Sequence, residues 1–165
     1  LNVSNHITAS GNISASGTII SNELETQYRH FDTGSNVLGS AGGSMGDIVR
    51  FGGTTTVAGK IYYLKTDGTW AVTDADNGGE STGSIAVAVG ANSTTNGMLL
   101  RGTVNLGNIP GGGRGAPLYL SVNAGSASNA VPTGNGDIAR VIGYNLDTSG
   151  KIYFNPDNTF VEVSA

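Results

Sequence analysis

The chain of 165 residues contains no cysteine and few charged side chains. Without cysteine it can form neither a disulfide framework nor a cysteine-based zinc site. Charged residues make up 12% of the chain, with 8 basic and 12 acidic residues and no basic stripe. We therefore expect no nucleic-acid partner. No apolar run is long enough to cross a membrane, so we also expect no membrane insertion.

The chain also lacks the sequence motifs of common enzymes. It has two histidines, His6 and His30, and it has no G-x-S-x-G nucleophile elbow. The glycine-rich segment 107–115, GNIPGGGRG, does not have the spacing of a phosphate-binding loop. We expect a protein without catalytic activity, metal or cofactor. Because the chain begins at Leu1 and not at Met, we expect a fragment or a processed product, so the missing signal-peptide pattern says little about its compartment.

Glycine is the most over-represented residue, with 27 of 165, and Ser, Thr and Asn are also abundant. Short segments rich in Val, Ile, Leu and Tyr alternate with these turn residues, which is typical of all-β proteins. Seven such segments are predicted as strands: GDIVRFG from residue 46, KIYYL from 60, GSIAVAVG from 83, MLLRGTVNL from 98, PLYLSV from 117, GDIARVIG from 136 and KIYF from 151. They predict a compact β-sandwich or barrel.

An internal strand repeat is the strongest pattern, and it can be aligned in two ways. The first alignment matches residues 46–72 with 136–163, since both contain Gly-Asp-Ile, then Gly-Lys-Ile-Tyr, then Asp and a second aromatic. The second matches KIYYLKTDGTW…GSIAVAVG with PLYLSVNAG…GDIARVIG. We prefer the first alignment because it preserves more identities over a similar span.

The first alignment assigns structural roles to the residues that it pairs. Trp70 and Phe160 occupy matching positions, so we expect both to anchor the core. Arg50 and Arg140 also match, and we expect them to brace strands or a subunit interface more than to bind a ligand.

Residues 1–24 repeat with a period of six. Apolar residues recur at Leu1, Ile7, Ile13 and Ile19, followed by small residues and glycines. This Ile-x-Ala-x-Gly-x pattern predicts a β-shaft, and four hexads bury a core only if three chains each supply one hexad per turn. The alternative is a flexible Ser/Gly linker. We therefore predict a trimeric shaft at 1–24, a connector at 25–45 and a β-rich head at 46–165.

The acidic segment 74–80, DADNGGE, is the best candidate for a cation site, with a solvated polar loop as the favoured alternative. A pair of carboxylates for glycoside cleavage would have to come from Asp67, Asp74, Asp76, Glu80 and Asp157. Of these, Asp67 and Asp157 already fit a role in turns.

Surface aromatic residues and loops are the candidates for receptor binding, and no individual binding residue is predicted. Aromatic side chains able to stack on sugars are Tyr62, Tyr63, Trp70, Tyr119, Tyr144, Tyr153, Phe154 and Phe160. Tyr62 and Tyr63 are adjacent in a strand, so one should point outward, and that one is a better surface candidate than Trp70. The candidate binding loops are 74–83, 90–97 and 107–116.

The order of hexads, connector and glycine-rich β-head resembles the distal part of a bacteriophage tail fibre or a related virion fibre. The segments YYLKTDGTWAVTDA, LLRGTVNLGN, APLYLSVNAG and GYNLDTSGKIYFNPDNTFVEV are similar to head-domain segments of phage structural proteins. The resemblance covers most of the chain and transfers no functional residue. It implies an outward-facing homotrimer on the virion, joined to other virion proteins through its N-terminal side.

The resemblance also implies that the head faces a host-surface polysaccharide or protein. A structural spacer or a capsid decoration module is the alternative, and a polysaccharide depolymerase is a less favoured one. A bacterial surface adhesin would share most of these features.

Overall fold

The computed structural model describes residues 35–164. The predicted β-shaft at 1–24 and the first part of the predicted connector therefore lie outside the described residues. Within the described part the chain is predominantly β, with two helices of four residues each. The elements are α1 (Ser35–Leu38), β1 (Ser44–Val49), β2 (Ile61–Leu64), β3 (Trp70–Val72), α2 (Gly78–Ser81), β4 (Ile85–Ala88), β5 (Met98–Asn105), β6 (Pro117–Leu120), β7 (Ala127–Ser128), β8 (Ile138–Ala139), β9 (Val141–Asn145), β10 (Lys151–Phe154) and β11 (Val161–Glu162).

The all-β prediction for the head is confirmed, and every one of the seven predicted segments contains a strand. Residues 35–45 are the described part of the predicted connector. They contain α1 and the start of β1, and Leu38 is fully buried. The Leu38 carbonyl accepts a hydrogen bond from Asn105 Nδ2 at 2.9 Å, which ties this segment to β5.

Nine strands form one curled antiparallel sheet, a half-barrel that forks at β5. β1 follows one edge of β5 along its length. On the other edge, β4 pairs with Met98 and Leu99, while β10 pairs with the residues from Gly102 to Asn105. Two branches therefore leave the same edge of β5: a first branch of β4, β2 and β3, and a second branch of β10, β9, β6 and β7. β8 and β11 form a separate two-stranded sheet.

The two branches repeat the same strand order, which identifies the repeat that the fold uses. β3-β2-β4 in the first branch corresponds to β7-β6-β9 in the second. Equivalent backbone hydrogen bonds recur: Leu64 N donates to Ser84 O at 2.9 Å, and Leu120 N donates to Arg140 O at 3.2 Å. Gly59 N likewise donates to Ala88 O, as Gly115 N does to Asn145 O, both at 2.8 Å.

The preferred sequence alignment is therefore wrong, and the second alignment describes the fold. In the structure β1 pairs with β5, whereas the segment matched to it, β8, pairs with β11. β3 folds back on β2 as a hairpin, whereas β11 does not pair with β10. The identities that favoured the first alignment lie partly in strands that pair with different neighbours and partly in similar Asx turns, so they do not mark equivalent strand pairs.

The two branches share one core, but equivalent strands turn opposite faces towards it. Leu118 and Leu120 of β6 are fully buried in this core. Their counterparts in β2, Tyr62 and Leu64, lie on the other face of the sheet, in a second cluster with Trp70. A one-residue bulge at Leu118/Tyr119 locally shifts the register between β6 and β9. A bulge changes how residues oppose one another across a strand pair, so equivalent strands need not show the same apolar pattern.

Residues 50–58 cover the second cluster. The Tyr62 hydroxyl accepts a hydrogen bond from Val57 N at 2.8 Å, and Trp70 N donates to Thr54 Oγ1 at 3.0 Å. The rings of Phe51 and Trp70 lie 5.3 Å apart between centroids. The outer face of the first branch is thus protected from solvent by a segment of its own chain.

Candidate functional site

The acidic segment 74–80 forms a turn and the start of α2. Asn77 caps this helix, with its side-chain oxygen accepting a hydrogen bond from Gly79 N at 3.1 Å. Burial raises the pKa of Asp74, because desolvation disfavours its charged form. Among residues 35–164, no group of three or more His, Cys, Asp or Glu side chains could hold a metal ion. Nothing in the described structure therefore supports the cation alternative for this segment.

Asp67 and Asp157 hold turns, as the sequence predicted. Asp67 Oδ1 accepts hydrogen bonds from Thr69 N at 2.9 Å and Thr69 Oγ1 at 2.6 Å, and Asp157 Oδ1 accepts the same pair from Thr159, both at 2.9 Å. The Lys65 ammonium and the Thr69 groups lower the pKa of Asp67, and the Thr159 bonds lower that of Asp157. Both carboxylates are exposed and already engaged, so they are poorly placed for a catalytic pair.

The predicted binding loop 90–97 serves the fold. Ser93 Oγ accepts a hydrogen bond from Thr54 N at 3.0 Å, and Ala91 O accepts one from Thr56 N at 2.9 Å. Asn92 Oδ1 accepts from Thr94 N at 2.9 Å and Thr95 N at 3.0 Å, which orders the loop internally. This loop therefore fastens residues 50–58 over the second cluster.

The predicted binding loop 107–116 is anchored at its centre and exposed at its tip. Asn145 Nδ2 donates to Gly111 O at 2.6 Å, and Asn129 N donates to Pro110 O at 3.0 Å. Ile109 is 67% exposed. The loop therefore presents an open apolar side chain, Ile109, and an exposed cation, Arg114.

The outer face of the second branch is different, because it presents tyrosines. Tyr144 of β9 lies directly opposite Tyr153 of β10, so both side chains project from the same face. Tyr119 of β6 alternates with the buried Leu118 and Leu120, which places it on that face too. Tyr144 is 46% exposed, while Tyr119 and Tyr153 are half-buried. We call Tyr119, Tyr144 and Tyr153 the tyrosine face.

The other aromatic candidates divide between core and surface in a way the sequence did not resolve. Tyr62 and Tyr63 point to opposite faces as predicted, but both faces are occupied, with Tyr62 buried and Tyr63 packed against the common core. Trp70 is buried, as expected of an anchor. Phe160 is 43% exposed, so its predicted role as a core anchor is wrong.

Arg50 and Arg140 are also not equivalent. Arg50 is exposed, whereas Arg140 is 3% exposed. Arg140 Nε donates to Asp157 O at 2.7 Å, and Nη1 donates to both Ser81 O and Gly83 O at 2.7 Å. The bracing prediction is thus confirmed for Arg140 alone, which joins the 155–160 segment to the chain after α2.

Arg140 lines a groove of about 350 Å³. The groove lies where residues 82–85 approach Leu100 and the 156–158 segment, and we call it the arginine groove. Its lining combines polar and apolar side chains: Thr82, Ser84, Leu100, Arg140, Pro156 and Asn158. Loop 74–83, predicted from the sequence, contributes one wall.

A second groove, of about 410 Å³, lies in a region that sequence reasoning missed. Its lining includes Val122, Asn123, Val131, Pro132, Thr133 and Asp137. Asp137 is 7% exposed and accepts a hydrogen bond from Gly134 N at 2.7 Å. The sequence signal was weak, because Val122 and Val131 stand alone among Ser, Asn, Ala and Gly.

No protein-family model, curated protein or solved structure matches the chain. No helix of the described residues is long and apolar enough to cross a membrane.

Proposed function

We propose that the chain is a structural protein of a virion fibre whose head binds a polysaccharide or protein on the host cell surface. The observation that carries this proposal is the tyrosine face. Tyrosines give large contact areas at a small cost in side-chain entropy, and their hydroxyl groups can hydrogen-bond a polar ligand. Here they project from adjacent strands β6, β9 and β10, which are held rigidly by the sheet.

The contrast between the two branches strengthens this choice of surface. In the first branch the aromatic residues Tyr62 and Trp70 are buried beneath residues 50–58. In the second branch Tyr144 remains 46% exposed. Large aromatic side chains left open on a rigid scaffold are typical of protein and glycan binding surfaces.

A binding role is favoured over a depolymerase role. Of the carboxylates considered for glycoside cleavage, Asp67 and Asp157 hold turns through Thr69 and Thr159. None of the five lines either groove. In the proposed assembly, three copies join through the hexads of residues 1–24, and each head faces outward from the virion. The proposal also includes the compact β-sandwich or barrel that the sequence predicts, as the shape of the head in the assembled protein.

Cell binding tests the proposal. Fluorescently labelled chain is incubated with a panel of bacterial strains, and bound protein is measured by flow cytometry. Tyr144→Ala should weaken binding to a recognised strain by about tenfold or more, the usual effect of truncating an aromatic anchor. Phe160→Ala is the matched control, since Phe160 is similarly exposed at 43% but lies outside the tyrosine face. Equal binding by the two variants, or no binding to any strain, would contradict the proposal.

Light scattering tests the assembly separately. The purified chain should have three times the mass of one chain at micromolar concentration. A clean monomer would contradict the trimer while leaving the tyrosine face open to its own test.

A further inference from the structure

Arg140 is a buried cation without an anionic partner among the described residues. Its three hydrogen bonds all go to neutral backbone carbonyls, those of Ser81, Gly83 and Asp157. The Asp157 carboxylate attracts it, but that group is exposed and accepts hydrogen bonds from Thr159. Burial lowers the pKa of Arg140, because desolvation disfavours the guanidinium cation. Buried charges in proteins are usually paired with an opposite charge, so a bound anion would stabilise the buried guanidinium.

The strand order that the two branches share does not require arginine at this position. Ser84 is the equivalent of Arg140 in the first branch, and it accepts the equivalent backbone hydrogen bond from β2. The repeated architecture therefore forms with a small side chain there. Arg140 is therefore specific to the second branch, where it braces segment 155–160 against residues 81–83 and also lines the arginine groove.

The guanidinium also has capacity to bind a ligand. Nη1 and Nε are engaged, whereas Nη2 makes no hydrogen bond to residues 35–164 and is not sealed from solvent. Arg140 lines the arginine groove, whose volume of about 350 Å³ is within the range of small-molecule sites. Around the charge lie the hydroxyls of Thr82 and Ser84, the amide of Asn158 and the apolar surface of Leu100.

We propose that the arginine groove binds an acidic sugar residue through its carboxylate, with Arg140 Nη2 as the charged donor. Thr82, Ser84 and Asn158 then hydrogen-bond sugar hydroxyls, and Leu100 and Pro156 contact the apolar face of the ring. A single guanidinium donor beside several neutral polar groups suits a carboxylate on a polyhydroxyl frame better than a phosphate, which is usually held by several cationic or backbone donors. This inference rests on the proposed function, because it names a substrate class for the host-surface glycan.

The test is a titration of the ¹⁵N-labelled full chain with sodium glucuronate, followed by amide chemical shifts. Shifts should concentrate at residues 82–84 and 158. Glucose should bind at least about tenfold more weakly because it lacks the charge, and acetate should also bind more weakly because it lacks the hydroxyls. Equal binding of glucose, or shifts confined to other regions, would overturn the proposal. Equal binding of acetate would overturn its sugar component.

A charge variant keeps the test independent of folding. Ser84 is exposed on the groove, so Ser84→Asp should place a competing carboxylate beside Arg140 and weaken glucuronate binding by about tenfold or more. Ser40→Asp adds the same charge at an exposed serine outside the groove and should leave binding unchanged. Equal affinities of the two variants would overturn the proposal. If the unsubstituted chain does not bind glucuronate while its cell binding still depends on Tyr144, this inference is refuted and the proposed function stands.

Discussion

The opposite burial of equivalent strands gives a sharp prediction for two leucines. Leu64 and Leu120 occupy the same position in the repeat, since each donates its backbone N–H to the equivalent strand, at Ser84 O and Arg140 O. Leu120 is fully buried in the common core, whereas Leu64 is half-buried at the margin of the second cluster. Truncating each to alanine therefore compares the same chemical change in two environments.

The expected costs differ severalfold. A fully buried leucine loses about 2–5 kcal/mol on truncation, because a cavity remains in the core. The half-buried leucine should lose about 1 kcal/mol, since solvent can fill the space. For a chain of this size, 1 kcal/mol lowers Tm by about 2–4 °C. Leu120→Ala should thus lower Tm by about 10 °C and Leu64→Ala by about 3 °C.

Thermal unfolding followed by circular dichroism measures both shifts, and urea titration gives the corresponding free energies of unfolding. The m-value should be unchanged, which would show that only stability has been altered. If Leu64→Ala cost as much as Leu120→Ala, the two branches would bury the same face, and the description of the core would be wrong.

Three further predictions concern individual positions. Gly102 has φ +143°, and a Cβ there would lie 2.7 Å from Gly46 Cα, so Gly102→Ala should lower the free energy of unfolding, measured by urea titration, by about 3 kcal/mol or more. Gly113→Ala is the control, because Gly113 lies in open space, and it should cost less than about 1 kcal/mol. Equal losses would contradict the close contact between β1 and β5. Because the pKa of Asp67 is lowered in the folded state, its ionised carboxylate stabilises that state above the ordinary carboxyl pKa of about 4, and Asp67→Asn should lower Tm at pH 7. The loss in Tm should shrink as the pH falls towards and below the lowered pKa of the folded state. A loss in Tm that stays constant with pH would contradict this prediction. Asp74 should have the opposite effect on stability, because its raised pKa shows that the ionised form is unfavourable in the folded state. Asp74→Asn should therefore raise Tm at pH 7 and leave Tm unchanged below about pH 3. A lower Tm at pH 7 would contradict this prediction.

The sequence predicted the longer strands because each of them carries its own local signal, whereas the short strands β3, β7 and β11 lie outside the seven predicted segments. Segments such as KIYYL and GSIAVAVG combine β-branched and aromatic residues with flanking turn residues, and both form strands. The turn roles of Asp67 and Asp157 were predicted for the same reason, since an Asx turn depends on neighbours two residues away.

The pairing of strands could not be predicted, because it depends on long-range register. Identities between residues 46–72 and 136–163 favoured one alignment, but the strands that carry them pair with different neighbours. Equivalent residues also lie in different environments, since Tyr62 is buried in one cluster and its counterpart Leu118 in another. An alignment scored by identity alone does not contain that information.

The candidate site was only partly predictable for the same reason. Tyr119, Tyr144 and Tyr153 were among the aromatic candidates, yet nothing local distinguished them from Tyr62 or Trp70. Their selection requires the strand order that brings β6, β9 and β10 side by side. The burial of Arg140 and the exposure of Arg50 likewise follow from tertiary contacts with residues 81–83 and 157.

Covalent footprinting on recognised cells is the most direct test of the tyrosine face as the host-binding surface. The full chain is labelled with a photoactivated carbene reagent, free and bound to a strain identified by flow cytometry, and modification is located by mass spectrometry. Binding should protect the peptides containing Tyr144 and Tyr153, while the peptide containing Phe160 should be modified equally in both states. Protection of Phe160 with unchanged modification at Tyr144 and Tyr153 would contradict the account.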